Sequence, residues 1–112
     1  TPDRDMDRLA ALIAFHDEDP DDPFTRFALA REYLKTGDAA RALDFFVGLE
    51  RDHPDYVGTY YHLGALYAAL GRDDDAVRTY RTGIGVATRL GDLHARAELQ
   101  SALLEAEGLG FE

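Results

Sequence analysis

The chain has 112 residues, a length typical of one domain, and 46% of them are hydrophobic and 30% charged. This composition is that of a folded protein, and the lack of cysteine excludes disulfide scaffolds, thiolate zinc sites and thiol nucleophiles. The net charge of −10 argues against binding to nucleic acid or to anionic membranes, since both need a basic surface. No apolar run approaches the roughly 18 residues of a membrane helix, so we expect a soluble, cytoplasmic protein.

The first half of the chain has the periodicity of three helices. The first is predicted over 6–17, one period ahead of the third, with Leu12 and Phe15 in the places of Phe46 and Leu49. The second is predicted over 24–35 and ends before Gly37, which supplies the positive φ that a helix end favours. The third is predicted over about 39–51, capped by the Asp that follows this glycine and stopped before the next proline.

The second half of the chain repeats this pattern. Helices are predicted over about 57–70 and 74–89, separated by Gly71 and an acidic turn. A final helix is predicted over about 93–106, with Asp92 as its cap. No segment shows the alternation of a strand, so the sequence predicts an all-α protein of about six helices.

Shifting the sequence by 34 residues superposes its two halves. The shift aligns Leu29, Tyr33, Gly37, Ala42, Phe46 and Pro20 with Leu63, Tyr67, Gly71, Ala76, Tyr80 and Pro54. So many matches among glycine, alanine, proline and aromatic positions indicate an internal repeat. Since one hairpin of helices cannot cover its own apolar face, neighbouring repeats are expected to stack.

The second repeat carries the residues of a known pattern. Tyr60-x-x-Leu63-Gly64-x-x-Tyr67, followed by Ala76-x-x-x-Tyr80, resembles the tetratricopeptide repeat, with Tyr in place of the usual Trp. The first repeat matches less fully, because Arg26 replaces the large aromatic residue at the hairpin entrance.

The resemblance implies a short right-handed α-solenoid of helix–turn–helix hairpins. We expect a single domain over residues 1–112, which starts with a half-repeat helix and ends with a capping helix. Its predicted parts are 4–17 (half-repeat), 23–56 (repeat one), 57–90 (repeat two) and 92–107 (cap).

The resemblance also implies a function. In this family the first helices of successive hairpins line a concave groove that holds a peptide or a partner's helix. Carried over by position, the groove residues predicted here are Phe24, Phe27, Arg31, Lys35, Tyr61, His62 and Ala65.

Arg31 and Lys35 lie four residues apart, and therefore on one helix face, beside aromatic side chains. This pairing predicts a non-catalytic interaction module for an acidic protein or peptide segment. Two alternatives remain open: the two cations are ordinary solvated charges paired with nearby acids, or the exposed aromatics form a patch for self-association as a homodimer.

Other candidate sites have simpler interpretations. The acidic segment 16–22 lacks the glycine and the alternating ligands of a calcium loop, so we expect a solvated turn in which Asp22 caps a helix. Gly83-x-Gly85 lies mid-helix, without a phosphate-loop context, and together with Gly48 is expected to allow close helix contact. The only serine, Ser101, has no catalytic partner at a recognisable spacing, so neither an enzyme nor a cofactor nor a metal site is predicted.

Overall fold

The computed structural model describes residues 2–108, and every regular element among them is an α-helix. No helix in this range is both long and apolar enough to cross a membrane. The six helices, in chain order, are α1 (Pro2–Glu18), α2 (Pro23–Lys35), α3 (Ala39–Asp52), α4 (Gly58–Ala69), α5 (Asp73–Leu90) and α6 (Leu93–Ala106).

The helix ends lie where local chemistry predicts them. The side chains of Asp22, Asp38 and Asp92 accept hydrogen bonds from the backbone N–H groups at the starts of α2, α3 and α6, at 3.0–3.1 Å. Gly37 and Gly91 follow the ends of α2 and α5 with φ of 88° and 72°, a conformation that favours glycine. The predicted caps and glycine stops are therefore confirmed.

The chain forms two compact units, one up to His53 and one from Pro54 onwards. Unit 1 contains α1, α2 and α3, and unit 2 contains α4, α5 and α6. The division into a half-repeat, two repeats and a cap within a single domain stays a prediction.

The core of unit 1 is built between α2 and α3. Leu29, Ala30, Ala42 and Phe46 are each at most 1% exposed, and the ring of Phe27 meets that of Phe46 edge-on, with 6.1 Å between the ring centres. The small alanines let the two helices approach closely, which is the role that the repeat pattern predicts for them.

The packing of α1 departs from the expected correspondence with α3. Phe15 is 58% exposed, whereas Leu49, its counterpart one period later, is fully buried. With 3.6 residues per turn, the half-buried side of α1 runs through Leu9, Leu12 and His16, and Phe15 points away from its centre. The expectation that Phe15 takes the place of Leu49 is therefore wrong.

Arg26, the departure from the repeat pattern, is buried in unit 1. Only 9% of this residue is exposed, and its guanidinium forms ion pairs with Asp52 at 3.1 Å and with Asp21 at 3.6 Å. The Oδ1 atom of Asp21 also lies 3.1 Å from the Nε2 atom of His53. These contacts tie the turn between α1 and α2 to the end of α3, so a charge network occupies the hairpin entrance.

The core of unit 2 is aromatic. Tyr60, Tyr67 and Tyr80 are at most 5% exposed, and the hydroxyl of Tyr60 donates a 2.5 Å hydrogen bond to the carbonyl of Pro54. The ring of Tyr80 lies against Gly64, where a Cβ atom would collide with it. The glycine of the repeat pattern therefore leaves space on α4 for the tyrosine ring from α5.

The other three mid-helix glycines, Gly48, Gly83 and Gly85, have different environments. A Cβ atom on Gly48 or Gly83 would collide with Arg26 or Tyr60, respectively, so close contact is confirmed at both. Gly85 is exposed and has open space where a Cβ would lie, so the expectation of close contact there is wrong.

Candidate functional sites in the two units

A cleft of about 650 Å³ runs between α1 and α2 in unit 1. Four of the seven predicted groove residues, Phe24, Phe27, Arg31 and Lys35, line it together. They occupy one side of α2 because they are spaced by three or four residues. The other side of the cleft is formed by residues of α1, namely Arg4, Asp5 and Arg8.

The two phenylalanines of the cleft differ in exposure. Phe24 is 70% exposed, at the start of α2, whereas Phe27 is half-buried and packs against the core. The guanidinium carbon of Arg31 lies 5.9 Å from the centre of the Phe27 ring, within the range of a cation–π contact. Among the described residues Arg31 has no acidic partner, so its charge faces solvent beside an aromatic surface.

Lys35 has a different environment from Arg31. Its Nζ atom lies 2.9 Å from Oδ1 of Asp5 on α1. This hydrogen bond raises the pKa of Lys35 and lowers the pKa of Asp5. The interpretation of Lys35 as a surface charge paired with a nearby acid therefore fits its geometry. Of the two predicted groove cations, Arg31 is the one whose charge is not compensated by an acidic side chain that the structure describes.

The sequence interpretation missed the cations of α1. Arg4 and Arg8 are four residues apart and face the cleft, and the Nε atom of Arg8 lies 2.9 Å from Oε1 of Glu32. The side chain of Glu32 is only 3% exposed, and its Oε2 atom has no hydrogen-bond partner in the part of the chain that the structure describes. The i, i+4 spacing of the two arginines was the available signal, but it did not reveal which side of α1 faces α2.

The remaining predicted residues, Tyr61, His62 and Ala65, lie on α4 in unit 2. Tyr61 is 42% exposed, and its ring meets that of His62 edge-on at 5.6 Å. Tyr61 and His62 line a groove between α4 and α6, while Ala65 is exposed on the same helix.

The α4–α6 groove has two depressions, of about 370 and 240 Å³, and Tyr61 lines both of them. Its α6 wall carries Glu98 and Glu105, and His94 lies 3.5 Å from the Glu98 carboxylate. This groove is therefore acidic, in contrast to the cation-rich cleft of unit 1. His94 also lines the larger depression.

The acidic segment 16–22 has structural partners. Asp22 accepts hydrogen bonds from the backbone and hydroxyl of Thr25, and Asp21 contacts Arg26 and His53. Within residues 2–108, no group of three or more His, Asp or Glu side chains is arranged to hold a metal ion.

Comparison with known proteins places the chain in a family. A tetratricopeptide repeat family model matches residues 3–85. The chain is also 36% identical over 94 residues to cellulose synthase operon protein C of Pseudomonas fluorescens, in an alignment that covers 81% of this chain and 7% of that protein. The chain thus spans only a small part of the length of this relative.

Solved structures show the same fold. A crystal structure of a tetratricopeptide repeat domain protein from Salinibacter ruber is 58% identical, with a TM-score of 0.76 over 79% of this chain and 98% of that one. The solution NMR structure of a tetratricopeptide repeat domain protein from Salinibacter ruber has a TM-score of 0.78 at 56% identity, over 84% and 95% of the two chains. A crystal structure of MamA, at 23% identity, shares the fold with a TM-score of 0.72 over 94% of this chain and 56% of MamA.

These similarities confirm the all-α helical-hairpin fold class that the repeat predicted. The match of the family model over most of the sequence, together with the 34-residue repeat, identifies the chain as a member of the tetratricopeptide repeat family.

Proposed function

We propose that this protein is a non-catalytic interaction module that holds an acidic peptide segment in the α1–α2 cleft of unit 1. Tetratricopeptide repeats generally mediate protein–protein interactions. The observation that carries the proposal is the combination of an exposed aromatic ring, Phe24, with the uncompensated Arg31 in one cleft.

Each part of the cleft has a separate role in this proposal. Phe24 and the outer edge of Phe27 bury apolar atoms of the ligand, which supplies most of the affinity. Arg31 donates hydrogen bonds to a ligand carboxylate, because a guanidinium binds carboxylates through two parallel N–H groups. Arg8, held through Nε by the buried Glu32, presents its terminal amino groups towards the same ligand.

The cleft chemistry sets the preferred ligand. A carboxylate next to an apolar side chain satisfies both parts of the cleft, and a basic segment is repelled by the arginines. Since Lys35 is held by Asp5, it contributes less to ligand binding than Arg31. Binding is expected to weaken with added salt, because the charges of the cleft are exposed.

A peptide-display selection tests this proposal. The wild-type domain is compared with Arg31→Glu and with a control, Arg81→Glu, which makes the same charge change in unit 2 at an exposed arginine. Acidic peptides with an apolar residue should be enriched by the wild type and the control but not by Arg31→Glu. Circular dichroism verifies that all three proteins are folded.

Two outcomes contradict the proposal. If the wild type enriches no peptide, the cleft does not bind peptides. If Arg31→Glu selects the same acidic peptides as the control, the arginine is an ordinary solvated charge.

Self-association is a second candidate function, favoured by exposed apolar side chains on the first and last helices. Met6 is 67% and Ile13 38% exposed on α1, and Leu93 is 70% and Leu104 48% exposed on α6. Each pair lies on one side of its helix, as the spacings of 7 and 11 residues dictate. Exposed apolar stripes of this kind are typical of interaction surfaces.

Light scattering across a hundredfold concentration range distinguishes this candidate. Self-association through α6 is supported if the wild type dimerises and the dimer population falls in the Leu93→Glu/Leu104→Glu variant but not in the Arg81→Glu variant. A concentration-independent monomer excludes it. The cytoplasmic setting stays a prediction.

A further inference from the structure

We propose that the α4–α6 groove of unit 2 is a second binding site, which takes an arginine side chain from a partner protein. This inference is independent of the acidic-peptide proposal, because it concerns a different unit and a ligand of opposite charge. It rests on the shape of the groove, on one exposed aromatic ring and on the carboxylates of one wall.

An exposed aromatic side chain lines the groove. Tyr61 lines both depressions and is 42% exposed, although its neighbour Tyr60 is fully buried in the core. The other lining residues include five small ones, Gly58, Ala95, Ala97, Ser101 and Ala102. A planar group that enters either depression therefore meets the exposed side chain of Tyr61.

The wall of the groove is negatively charged. Glu98 lines both depressions and Glu105 lines the larger one. Glu105 forms no ion pair with any cation that the structure describes, and Glu98 meets only His94, at 3.5 Å. The groove thus combines an aromatic ring with two carboxylates whose charge is not balanced by an arginine or lysine.

An arginine side chain complements this combination. Its guanidinium is planar, so it stacks on an aromatic ring while its N–H groups donate to carboxylates in the plane of the group. A lysine ammonium is a compact, strongly hydrated charge that gains less from stacking. The occupant is therefore an arginine-bearing segment, and not merely a cationic one.

A titration of the intact ¹⁵N-labelled chain with N-acetyl-arginine N-methylamide tests the proposal by NMR. The neutral isostere N-acetyl-citrulline N-methylamide and the lysine analogue serve as matched ligands. We expect saturable shifts at the backbone amides of Tyr61, Glu98 and Glu105 with the arginine compound, and affinities at least about threefold weaker with the other two.

Variants link the signal to the groove. Glu98→Gln/Glu105→Gln and Tyr61→Leu should each weaken binding by roughly fivefold. Asp17→Asn/Asp44→Asn removes the same charge from exposed positions in unit 1 and should leave the affinity unchanged. Since Glu98, Glu105 and Tyr61 are exposed, these variants are expected to fold, which their amide spectra will show.

Three results overturn the proposal. Equal affinity for the arginine and lysine compounds shows attraction by charge alone. Shifts that map to the acidic turn of unit 1, or to all acidic surfaces, show non-specific binding. Undiminished binding by the Glu98→Gln/Glu105→Gln variant shows that the groove carboxylates take no part.

Discussion

The guanidinium of Arg26 lies against the backbone of Gly48: a Cβ atom on this glycine would lie 2.6 Å from Nη2 of the arginine. The same Nη2 atom reaches the carboxylate of Asp52 at 3.1 Å. Because Gly48 on α3 has no side chain, the buried Arg26 on α2 has the space to form its ion pair with Asp52. Hydrogen bonds from Arg51 and, after it, from Arg26 lower the pKa of Asp52 from its ordinary 3.8 to about 2.

Gly48→Ala should raise the pKa of Asp52. The added methyl group displaces the end of the Arg26 side chain and removes one of the three hydrogen bonds that stabilise the carboxylate, leaving the two from Arg51. Arg51→Ala should raise the pKa further, because hydrogen bonding from Arg51 is the larger cause of the depressed pKa of Asp52. Titration of the Asp52 carboxylate by ¹³C NMR measures both effects, and an unchanged pKa in Gly48→Ala would refute the proposed coupling.

The Asp52 network should stabilise unit 1 in a pH-dependent way. Because the folded-state pKa is depressed, the contribution of Asp52 is fully present above its ordinary pKa of 3.8 and is lost as the pH falls towards about 2. Wild type should therefore be more stable than Asp52→Asn at pH 6, and the difference should narrow between about pH 4 and 2. Urea unfolding at a series of pH values measures this, with Asp44→Asn on the same helix as the charge control. A difference independent of pH would count against the network.

Gly83 and Gly85 should respond oppositely to substitution by alanine. Both lie inside α5 and gain about 1 kcal/mol of helix propensity. A Cβ on Gly83 would lie 2.5 Å from Cβ of Tyr60, which cannot move without its backbone, whereas Gly85 has open space. Overpacking typically costs about 1–3 kcal/mol, so Gly83→Ala should be less stable than wild type and Gly85→Ala more stable.

Urea unfolding followed by circular dichroism at 222 nm tests this pair. Because both variants make the same chemical change in one helix, the difference between them isolates the effect of packing. Equal free energies of unfolding would show that α4 and α5 are not in close contact at Gly83.

Arg8 and Glu32 should contribute unequally to the stability of unit 1. Arg8→Ala leaves a buried carboxylate without its ion-pair partner, which costs about 1–3 kcal/mol. Glu32→Leu removes the buried charge and leaves only an exposed arginine, so its cost should be smaller. The free energies of unfolding of the two variants are compared in urea, and a greater loss in Glu32→Leu would contradict this assignment.

Two buried threonines of unit 2 offer a matched test of hydrogen bonding. The hydroxyl of Thr59 has no hydrogen-bond partner within residues 2–108, whereas that of Thr79 donates to the carbonyl of Asp75 at 2.7 Å. Thr59→Val should stabilise the protein by up to about 1 kcal/mol, and Thr79→Val should destabilise it by a similar amount. Thermal unfolding ranks the two variants, and the reverse order would be incompatible with these hydrogen bonds.

The sequence alone determined the features that depend on neighbours in the chain. The caps at Asp38 and Asp92 and the positive φ at Gly37 all follow from residues within a few positions of one another. Capping and helix termination are short-range effects, so their residues can be recognised without a tertiary structure. For the same reason α6 has the bounds that the sequence predicted.

Tertiary structure decided which charges meet. Lys35 finds Asp5 thirty residues away, Arg26 finds Asp52, and Arg8 enters the cleft with Arg31. Such ion pairs depend on how each helix is rotated about its own axis and on how closely it packs against its neighbour. Helical periodicity does not define the rotation of α1, because charged residues are spread around this helix. The two candidate sites therefore owe their opposite charges to the packing of α1 on α2 and of α6 on α4.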